Sequence, residues 1–598
     1  MRKPWSISTT VRNPERLRGF LDVLKRFEGE EFNEDTQIKF QVGLIQERLY
    51  QPLNIPKKYK KYYEELLPIP YEAAAEIFEL KTYKDPPMRG RQSANPLNKL
   101  GLAIARQGYG PVRITELGNK FLAGDYDIGF VFFKSLLKLQ FPNPWSTEFS
   151  ESVGFDVMPL IAVMKLIHKL NLNSPKQGLD KTEFSFFIPT LINASEIDMQ
   201  IKAILKYRML SKRARQEFMY NSAKRFYAVK ELPMKKVKNL RDYGDNIMRY
   251  FRLTRYFKVS FDPTGNYWTF DLEPSRLVEI EQLLKIYDGH AVRFEKIEDY
   301  LSYLADIRQP ELPWEKIENL KEVALSLRDL ISGQIRQQGL GLTGEQQRLL
   351  SYDILTLTKG QLEDYTSRLR AFNLQLRESI RKTALAGNMQ MIEHTIKLLR
   401  NSKLLKEYEP EQFEKLISDA LKMINDEILI KPNYPIDDNG EPISHSPANK
   451  PDLECFYRTF KAICEVTLNT SKSQWIQEGQ PVMRHLRAFE VEHPKDDIFC
   501  VFVAPQIHND TYNQFWFSVK YEYDGVSQKI VPLTTDQFAV LLETLLELLR
   551  AGKKYGHAEL YSFYSEIIND TKQLKGFSEW SESIPKAVNK WRQKLVAL

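Results

Sequence analysis

The spacing of hydrophobic and polar positions changes along the chain of 598 residues. Over roughly the first 290 residues, apolar positions three and four apart predict helices, and two short alternating segments around glycine predict hairpins. The helical spacing then continues almost unbroken to about residue 410. The last 190 residues or so switch to strands that alternate with helices, a pattern typical of an α/β domain.

Both hairpins follow helices, and this order is typical of a winged helix. In the first, residues 105–124, Gly108 and Gly110 supply the turn and Thr115 can cap the helix that follows. In the second, the turn is predicted at residues 263–265. The sequence therefore predicts two winged-helix-like modules, although any small α+β module could show the same order.

The chain is too long to fold around one core, so we expect a multidomain, α-rich protein with an α/β part. Long helices of mixed charge in the middle of the chain suit a spacer between domains. The predicted domains are two winged-helix-like subdomains at 1–150 and 151–288, a helical linker at 289–400 and a carboxy-terminal α/β domain at 401–598.

The composition describes ordinary globular material, with 42% apolar and 12% aromatic residues and no low-complexity tract. The three cysteines, Cys455, Cys464 and Cys500, fall in predicted strands and lack metal-ligand spacing, so we expect reduced, buried thiols. No apolar run approaches the roughly 18 residues of a membrane span. These features predict a soluble cytoplasmic protein without a membrane partner.

Two segments come close to cofactor motifs but lack the residues that carry the chemistry. GLGLTGEQ, residues 339–346, lacks the lysine of a phosphate-binding loop. KDPPMRG, residues 84–90, departs from the methyltransferase motif of the DPPY type, which ends in an aromatic residue. We therefore expect no nucleotide cofactor.

The net charge of +7 is unevenly distributed. Residues 202–241 contain thirteen Lys and Arg against two acids, Glu217 and Glu231, so this segment carries +11 and the remainder −4. A basic cluster on an otherwise slightly acidic chain indicates a polyanionic partner, most simply nucleic acid. The alternative is a solvated helical face without a partner.

A helix predicted at residues 237–255 has an apolar side and a basic side. The basic side holds four cations, Lys238, Arg241, Arg249 and Arg252. Such a side can lie in the major groove of DNA, where Arg reads guanine edges and Lys meets phosphates. An amphipathic surface helix without a ligand is the alternative.

Two acids lie thirteen residues apart in a predicted hairpin, at Asp452 and Glu465. If Arg458 and Thr459 form a two-residue turn, the carboxylates are directly opposed, with Cβ atoms roughly 4.5 to 5.5 Å apart. Like charges so placed require a cation, and two carboxylates, a main-chain carbonyl and waters suit Mg²⁺. A three-residue turn would shift the register by one, and solvent-facing acids on an edge hairpin are the alternative.

Three further side chains are predicted near this site. Glu414 lies at the edge of an apolar helical stripe before the hairpin, at the boundary between core and solvent. Glu478 and His485, seven residues apart, line one edge of the helix after the hairpin. Pro481 should kink or split that second helix.

The order of these elements resembles the PD-(D/E)xK nuclease core. A helix with Glu is followed by a strand beginning Pro-Asp, a strand ending Glu-x-Thr, another helix and the buried strand DIFCVFVAP. Thr467 occupies the place of the usual lysine. The group that positions the attacking water is therefore left open.

Several segments look more specifically like the AlwI, PleI, MlyI and BstNBI family of type IIS restriction and nicking endonucleases. They are FEKL at 413, NYPIDDNGEPISHSPANKPDLE at 433–454, CEVT at 464, SQW at 473 and PVMRH at 481. ITELGNKFLAG and LLKLQFPNP also look like the family's amino-terminal part. The similarity thus extends over most of the chain.

This resemblance implies winged-helix-like DNA-recognition subdomains, a helical linker and a carboxy-terminal PD-(D/E)xK nuclease domain. The positions that match the family's catalytic residues are Glu414, Asp452, Glu465, Glu478 and His485. By the same resemblance, Mg²⁺ is held by Asp452, Glu465 and the carbonyl of Val466.

The activity implied is hydrolysis of double-stranded DNA a few base pairs outside a short asymmetric site, leaving 5′-phosphate ends. One catalytic centre cuts one strand, so the enzyme either nicks or needs a second subunit, for example through a transient homodimer. The rival hypothesis is a non-enzymatic winged-helix DNA-binding regulator with a carboxy-terminal partner-binding domain. That rival predicts DNA binding without cleavage when Mg²⁺ is present.

Overall fold

A computed structural model gives the structure of the protein. It describes all residues except 1, 9, 12, 51, 53–54, 65–66, 125–126, 263–266, 407, 437–440, 443–444, 447–449 and 598. The turn predicted at Pro263, Thr264 and Gly265 therefore lies outside the described residues. The chain divides into two compact units, residues 1–371 and 372–598.

The first unit is built mainly from helices. They are α1 (Leu17–Lys25), α2 (Glu34–Gln46), α3 (Lys60–Glu64), α4 (Tyr71–Glu79), α5 (Pro87–Lys99), α6 (Glu116–Ala123), α7 (Ile128–Lys138), α8 (Pro159–Asn173), α9 (Lys181–Phe187), α10 (Ile197–Met209), α11 (Lys212–Tyr227), α12 (Met234–Leu253), α13 (Leu277–Ile286), α14 (Ile297–Ala305), α15 (Ile317–Gln338) and α16 (Gly344–Leu350). The next helix, α17 (Lys359–Leu385), contains the point at which the chain divides.

Short strands accompany these helices. They are β1 (Ala103–Ile104), β2 (Arg113–Ile114), β3 (Leu179–Asp180), β4 (Phe257–Asp262) and β5 (Tyr267–Leu272). β1 and β2 form an antiparallel pair, and a second antiparallel sheet has the order β3-β5-β4. The two hairpins predicted from the sequence are therefore present.

The first hairpin has the turn and the helix cap that its sequence predicts. Gly108 and Gly110 adopt φ values of +85° and +80°, which glycine reaches at little cost. Thr115 accepts a hydrogen bond from the N–H of Gly118 at 3.0 Å and so caps α6. The assignment of either hairpin to a winged helix remains a prediction.

The middle of the chain is helical, as its spacing predicts. The two compact units divide at residue 371, inside the segment predicted to be a linker between 289 and 400. The division into four domains remains a prediction.

The second unit combines helices with a five-stranded sheet. Its further helices are α18 (Met389–Leu399), α19 (Ser402–Leu405), α20 (Pro410–Ile424), α21 (Gln480–Glu492), α22 (Asn509–Lys520), α23 (Thr535–Arg550), α24 (His557–Gln573) and α25 (Phe577–Ala597). Its strands are β6 (Leu429–Pro432), β7 (Leu453–Phe456), β8 (Lys461–Val466), β9 (Ile498–Ala504) and β10 (Ile530–Thr534).

The strand order is β10-β9-β8-β7-β6. The strands β6, β7 and β8 pair antiparallel, whereas β8, β9 and β10 pair parallel. Every residue of β9 is buried, as the continuous apolar run predicts. Cys455, Cys464 and Cys500 are buried and free of disulfides, which confirms that prediction. No helix among the described residues is long and apolar enough to cross a bilayer.

Candidate active site

The hairpin formed by β7 and β8 has the register predicted from its turn. Leu453 pairs with Cys464, and the pairing continues in step to Phe456 and Lys461. The N–H of Tyr457 donates to the carbonyl of Phe460 at 3.0 Å and closes the two-residue turn. In this register Asp452 and Glu465 are the next opposed positions beyond the last pair.

Asp452 lies immediately before β7 and reaches across to β8. Its Oδ2 accepts a hydrogen bond from the N–H of Val466 at 2.8 Å. Val466 follows Glu465 directly, so this bond fixes the Asp452 carboxylate beside the end of β8. The two acids of the hairpin are thereby brought to one place.

Glu465 is a buried residue of β8, the middle strand of the sheet. Its Oε1 lies 2.7 Å from Nδ1 of His485, and the two atoms share a hydrogen bond. The other ring nitrogen of His485, Nε2, is buried and has no hydrogen-bond partner in the part of the chain that the structure describes. The imidazole therefore contacts the acid cluster through one nitrogen and keeps the other buried and without a partner among the described residues.

Glu478 lies in a π-helical turn, Trp475–Gly479, that leads directly into α21. The prediction that Pro481 interrupts the helix is confirmed in this form, because Pro481 stands in the first turn of α21, where proline is tolerated. A Cβ at Gly479 would lie 2.0 Å from the Trp475 ring, so only glycine fits this tight turn. π-turns of this kind often occur at functional sites.

Thr467, the residue in the place of the motif lysine, binds Glu478. Its hydroxyl donates to Oε1 of Glu478 at 3.0 Å and accepts from the N–H of Asn469 at 3.1 Å. A neutral hydroxyl thus orients the Glu478 carboxylate where a lysine would have supplied positive charge.

Glu414 lies on α20 and is only 4% exposed, so it is not at the solvent boundary as its helical position predicts. The loop between β6 and β7 covers it. Oε2 of Glu414 accepts hydrogen bonds from the N–H and the hydroxyl of Ser446, both at 3.2 Å. The same hydroxyl approaches the carbonyl of Asp452 at 3.4 Å, so Ser446 connects the two acids.

The pKa of all four carboxyl groups is raised, and at three of them a neighbouring acid contributes. Burial raises the pKa of Glu414, Asp452, Glu465 and Glu478. The charge of Asp452 adds to the shift at Glu414, that of Glu465 to the shift at Asp452, and that of Glu478 to the shift at Glu465. Burial, with the nearby cation of Arg484, lowers the pKa of His485 to about 4, which leaves a neutral imidazole at physiological pH.

Among the described residues, no lysine or arginine forms an ion pair with any of these four acids. Buried carboxylates without a positive neighbour are destabilising unless they bind protons or a cation. The same residues contain no group of three or more His, Cys, Asp or Glu side chains arranged to hold a metal ion. A metal site here would therefore depend on the two opposed carboxylates and a main-chain carbonyl.

A network of ion pairs lies next to the acids and was not predicted from the sequence. Lys415, the neighbour of Glu414 on α20, pairs with Glu441 of the β6–β7 loop. Arg381 of α17 pairs with Asp419 of α20 and lies 4.0 Å from Glu441. The loop is thus attached to α20 at two described points, Glu441 and Ser446.

The basic helix of the first unit differs in part from its prediction. Lys238 and Arg241 are exposed on α12, whereas Arg249 is half-buried and bonds Oδ2 of Asp245 at 3.2 Å. Arg252 is only 7% exposed, which corrects its placement on an exposed basic side. The reason is that the last turn of α12 is enclosed, since the neighbours of Arg252 on both sides are buried too.

The chain matches a family model described as AlwI restriction endonuclease over residues 98–541. No curated protein matches the chain. Among solved structures, the small subunit (R.BspD6I2) of the heterodimeric restriction endonuclease R.BspD6I is 19% identical with a TM-score of 0.27, and the match covers 34% of this chain and 97% of that chain. The BpuJ1 endonuclease binding domain, in complex with pyrene- and phenanthrene-modified DNA, is 10% identical with a TM-score of 0.30, covering 48% of this chain and 91% of that chain. TM-scores this low support no conclusion about the fold.

The family match spans more than half of the chain and includes the whole cluster from Glu414 to His485. It is the sequence of the cluster and its surroundings, not the two solved structures, that supports the assignment. The chain therefore belongs to the AlwI restriction endonuclease family.

Proposed function

We propose that the protein is a type IIS endonuclease that recognises a short asymmetric site in double-stranded DNA and, with Mg²⁺, hydrolyses a phosphodiester a few base pairs away. The observation that carries the proposal is the opposition of Asp452 and Glu465 at the end of β7 and β8. Around them lie two further buried carboxyl groups, Glu414 and Glu478, which form no ion pair with a described lysine or arginine. Such a cluster in a restriction-endonuclease chain fits a divalent cation.

The donor atoms suit Mg²⁺, which prefers hard oxygen ligands and keeps several waters. Asp452, Glu465 and the carbonyl of Val466 would hold it. Mg²⁺ bound there would supply a Lewis acid for the scissile phosphate and a lowered pKa for a coordinated water.

The remaining residues have roles that follow from their hydrogen bonds. His485 holds Glu465 through Nδ1 and presents Nε2, which can accept a proton from the attacking water. Glu478, oriented by Thr467, is the second candidate for that proton. Glu414 orders the loop that carries Ser446 and Asp452. Hydrolysis would leave 5′-phosphate and 3′-hydroxyl ends.

The proposed architecture follows the predicted domains. The order α20, β7, β8, α21, β9 supports a PD-(D/E)xK-type nuclease domain at 401–598, with Thr467 in place of the lysine. Winged-helix-like subdomains at 1–150 and 151–288 would recognise DNA, and the helices of 289–400 would set the distance to the cut. One centre per chain implies nicking, or pairing with a second subunit for a double-strand break.

Incubation with plasmid DNA and Mg²⁺, followed by sequencing of the ends, tests this proposal. We expect cuts at a fixed offset from one asymmetric sequence, with 5′-phosphate ends. The Asp452→Ala variant should lose cleavage and keep site-specific binding. Cuts inside the recognised sequence, or a wild-type protein that binds specifically and never cuts, would contradict the proposal.

A further inference from the structure

A cleft of about 440 Å³ lies in the first unit, far in sequence from the acid cluster. Its walls are mainly the start of the chain, α5 and α12, with Glu148, Phe149 and Tyr227 completing the lining. None of the residues proposed for cleavage lines it. The cleft belongs to the unit that carries the basic segment, and it presents a different chemistry from the exposed cations of α12.

Each of the two helices directs one side to the cleft. On α5 the lining residues Gln92, Asn95 and Lys99 recur at intervals of three and four, so they share one helical side. On α12 the lining residues are Lys236, Asn239 and Tyr243, at the same intervals. Lys238 and Arg241 lie roughly opposite this second group on the helical wheel.

Three amide side chains are the distinctive feature of the cleft. Gln92, Asn95 and Asn239 are half-buried, and among the described residues their side chains make no hydrogen bond to the protein. Since they are half-buried and not bonded to the protein, their donors and acceptors are open to a ligand that enters the cleft.

The rim of the cleft is positively charged. Lys3 and Lys236 are cations of the rim, and Arg2 is a third, although it lies 3.6 Å from the carboxylate of Glu196; Glu148 is the acid among the described lining residues. The surplus of positive charge favours an anionic ligand.

Hydrogen bonds hold the segment from Trp5 to Ser8 in place beside the cleft. Nζ of the buried Lys99 donates to the carbonyl of Ser6 at 3.1 Å. The indole N–H of Trp5 donates to the carbonyl of Leu191 at 3.0 Å, and the N–H of Ser8 donates to Oδ1 of Asn246 at 3.1 Å. The cations that precede these anchors are therefore held near the cleft before any ligand binds, which lowers the entropy cost of binding.

We propose that this cleft reads base edges of the target sequence. Asn and Gln amides pair in bidentate fashion with N6 and N7 of adenine, whereas Lys and Arg on a rim contact phosphates. Gln92, Asn95 and Asn239 are thus the specificity-determining residues, and the site contains at least one A·T pair. The inference rests on the proposed DNA endonuclease and assigns base reading to the side of α12 opposite Lys238 and Arg241.

Binding measured in EDTA tests the cleft separately from cleavage. The target duplex is first selected from a random DNA library with the wild-type protein. Gln92→Ala, Asn95→Ala and Asn239→Ala should each weaken binding to that duplex about tenfold to hundredfold and lose discrimination at one base pair. Their affinity for unrelated DNA, and its salt dependence, should stay unchanged.

Two further variants separate base reading from phosphate contact and from misfolding. Lys3→Ala should weaken binding to target and unrelated DNA alike and reduce the salt slope by about one. Asn95→Asp keeps the size of the side chain but removes its donor, so it should lose specificity without a fall in Tm. Gln216→Ala, an exposed amide of α11 that does not line the cleft, is the matched control and should bind as wild type does.

Unchanged discrimination in all three alanine variants and in Asn95→Asp would overturn the inference, whatever the cleavage activity. Specific binding that depends on these amides, in a wild-type protein that never cuts, would instead contradict the proposed endonuclease and leave the cleft assignment standing.

Discussion

The carboxylate of Asp452 accepts a hydrogen bond from the main-chain N–H of Val466, with 2.8 Å between Oδ2 and the nitrogen. This bond joins the residue before β7 to the residue after Glu465 in β8. It sets two acids side by side in a place where the described chain supplies no lysine or arginine partner. Without a bound cation this arrangement destabilises the fold. Neutralising one of the two acids should therefore raise stability and abolish activity.

Neutralising Asp452 should stabilise the protein in the absence of metal. The variant Asp452→Asn removes charge repulsion but keeps the acceptor for the N–H of Val466. We expect a gain of about 1 kcal/mol and a rise in Tm of roughly 2–4 °C for a unit of this size, together with loss of cleavage. Glu454→Gln, at an acid of β7 that pairs with Lys431 at 2.9 Å, is the control and should give no rise. Thermal unfolding in EDTA measures both, and a lower Tm for Asp452→Asn would contradict the expectation.

His485 should be required for cleavage and dispensable for DNA binding. Its Nδ1 holds Glu465 and its Nε2 has no partner among the described residues, so removal of the ring takes away an orienting group and a proton acceptor. We expect His485→Ala to slow cleavage about 10²- to 10⁴-fold in single-turnover assays. His493→Ala, at a second histidine next to the end of α21, should cut at nearly the wild-type rate. Equal losses in the two variants would argue against a special role for His485.

The hydroxyl of Thr467 should matter through its bond to Glu478. Thr467→Val keeps the shape of the side chain and removes the donor to Oε1 of Glu478, whereas Thr467→Ser retains it. A hydrogen bond of this kind contributes about 1 kcal/mol, or more when the acceptor is charged, so cleavage by the valine variant should fall about tenfold. The serine variant should remain close to wild type. Indistinguishable rates for valine and serine would show that Thr467 does not orient Glu478.

The ion pair between Lys415 and Glu441 should position the β6–β7 loop over Glu414. Lys415 and Glu414 are neighbours on α20, and the loop contacts them through Glu441 and Ser446. We expect Glu441→Gln to lower kcat with little change in KM, because the loop shifts while the first unit, proposed to recognise DNA, is unchanged. The exchange of charges in Lys415→Glu with Glu441→Lys should restore only part of the rate, because Arg381 lies 4.0 Å from Glu441 and would repel the new lysine.

The double variant is also the control. If the ion pair only stabilises the fold, kcat should fall and recover together with Tm. If kcat tracks Tm across the single and double variants, the pair stabilises the fold without positioning the loop. Recovery of kcat without recovery of Tm would support positioning.

The local parts of the site could be predicted from the sequence. The register of the β7–β8 hairpin depends only on the turn at Arg458 and Thr459, so the opposition of Asp452 and Glu465 follows from counting. The buried strand β9 and the interruption of the helix near Pro481 are equally local signals.

Contacts between distant segments could not be predicted in this way. Ser446 and Glu441 belong to a long loop without hydrophobic periodicity, and only the folded chain brings them to Glu414 and Lys415. The exposed position predicted for Arg252 is wrong because a helical wheel carries no information about which end of α12 is enclosed. The cleft could not be predicted from the sequence, since its lining residues come from five separate segments of the chain.

The location of a bound divalent cation is the decisive measurement. Crystals soaked in Mn²⁺, a substitute for Mg²⁺ with an anomalous X-ray signal, should show one strong anomalous peak within coordination distance of the Asp452 and Glu465 carboxylates and the Val466 carbonyl. The same soak of Asp452→Asn should lose that peak. An anomalous map of the wild-type protein without a peak at these three groups, under conditions in which the enzyme cuts DNA, would contradict the assignment of the acid cluster as the catalytic metal site.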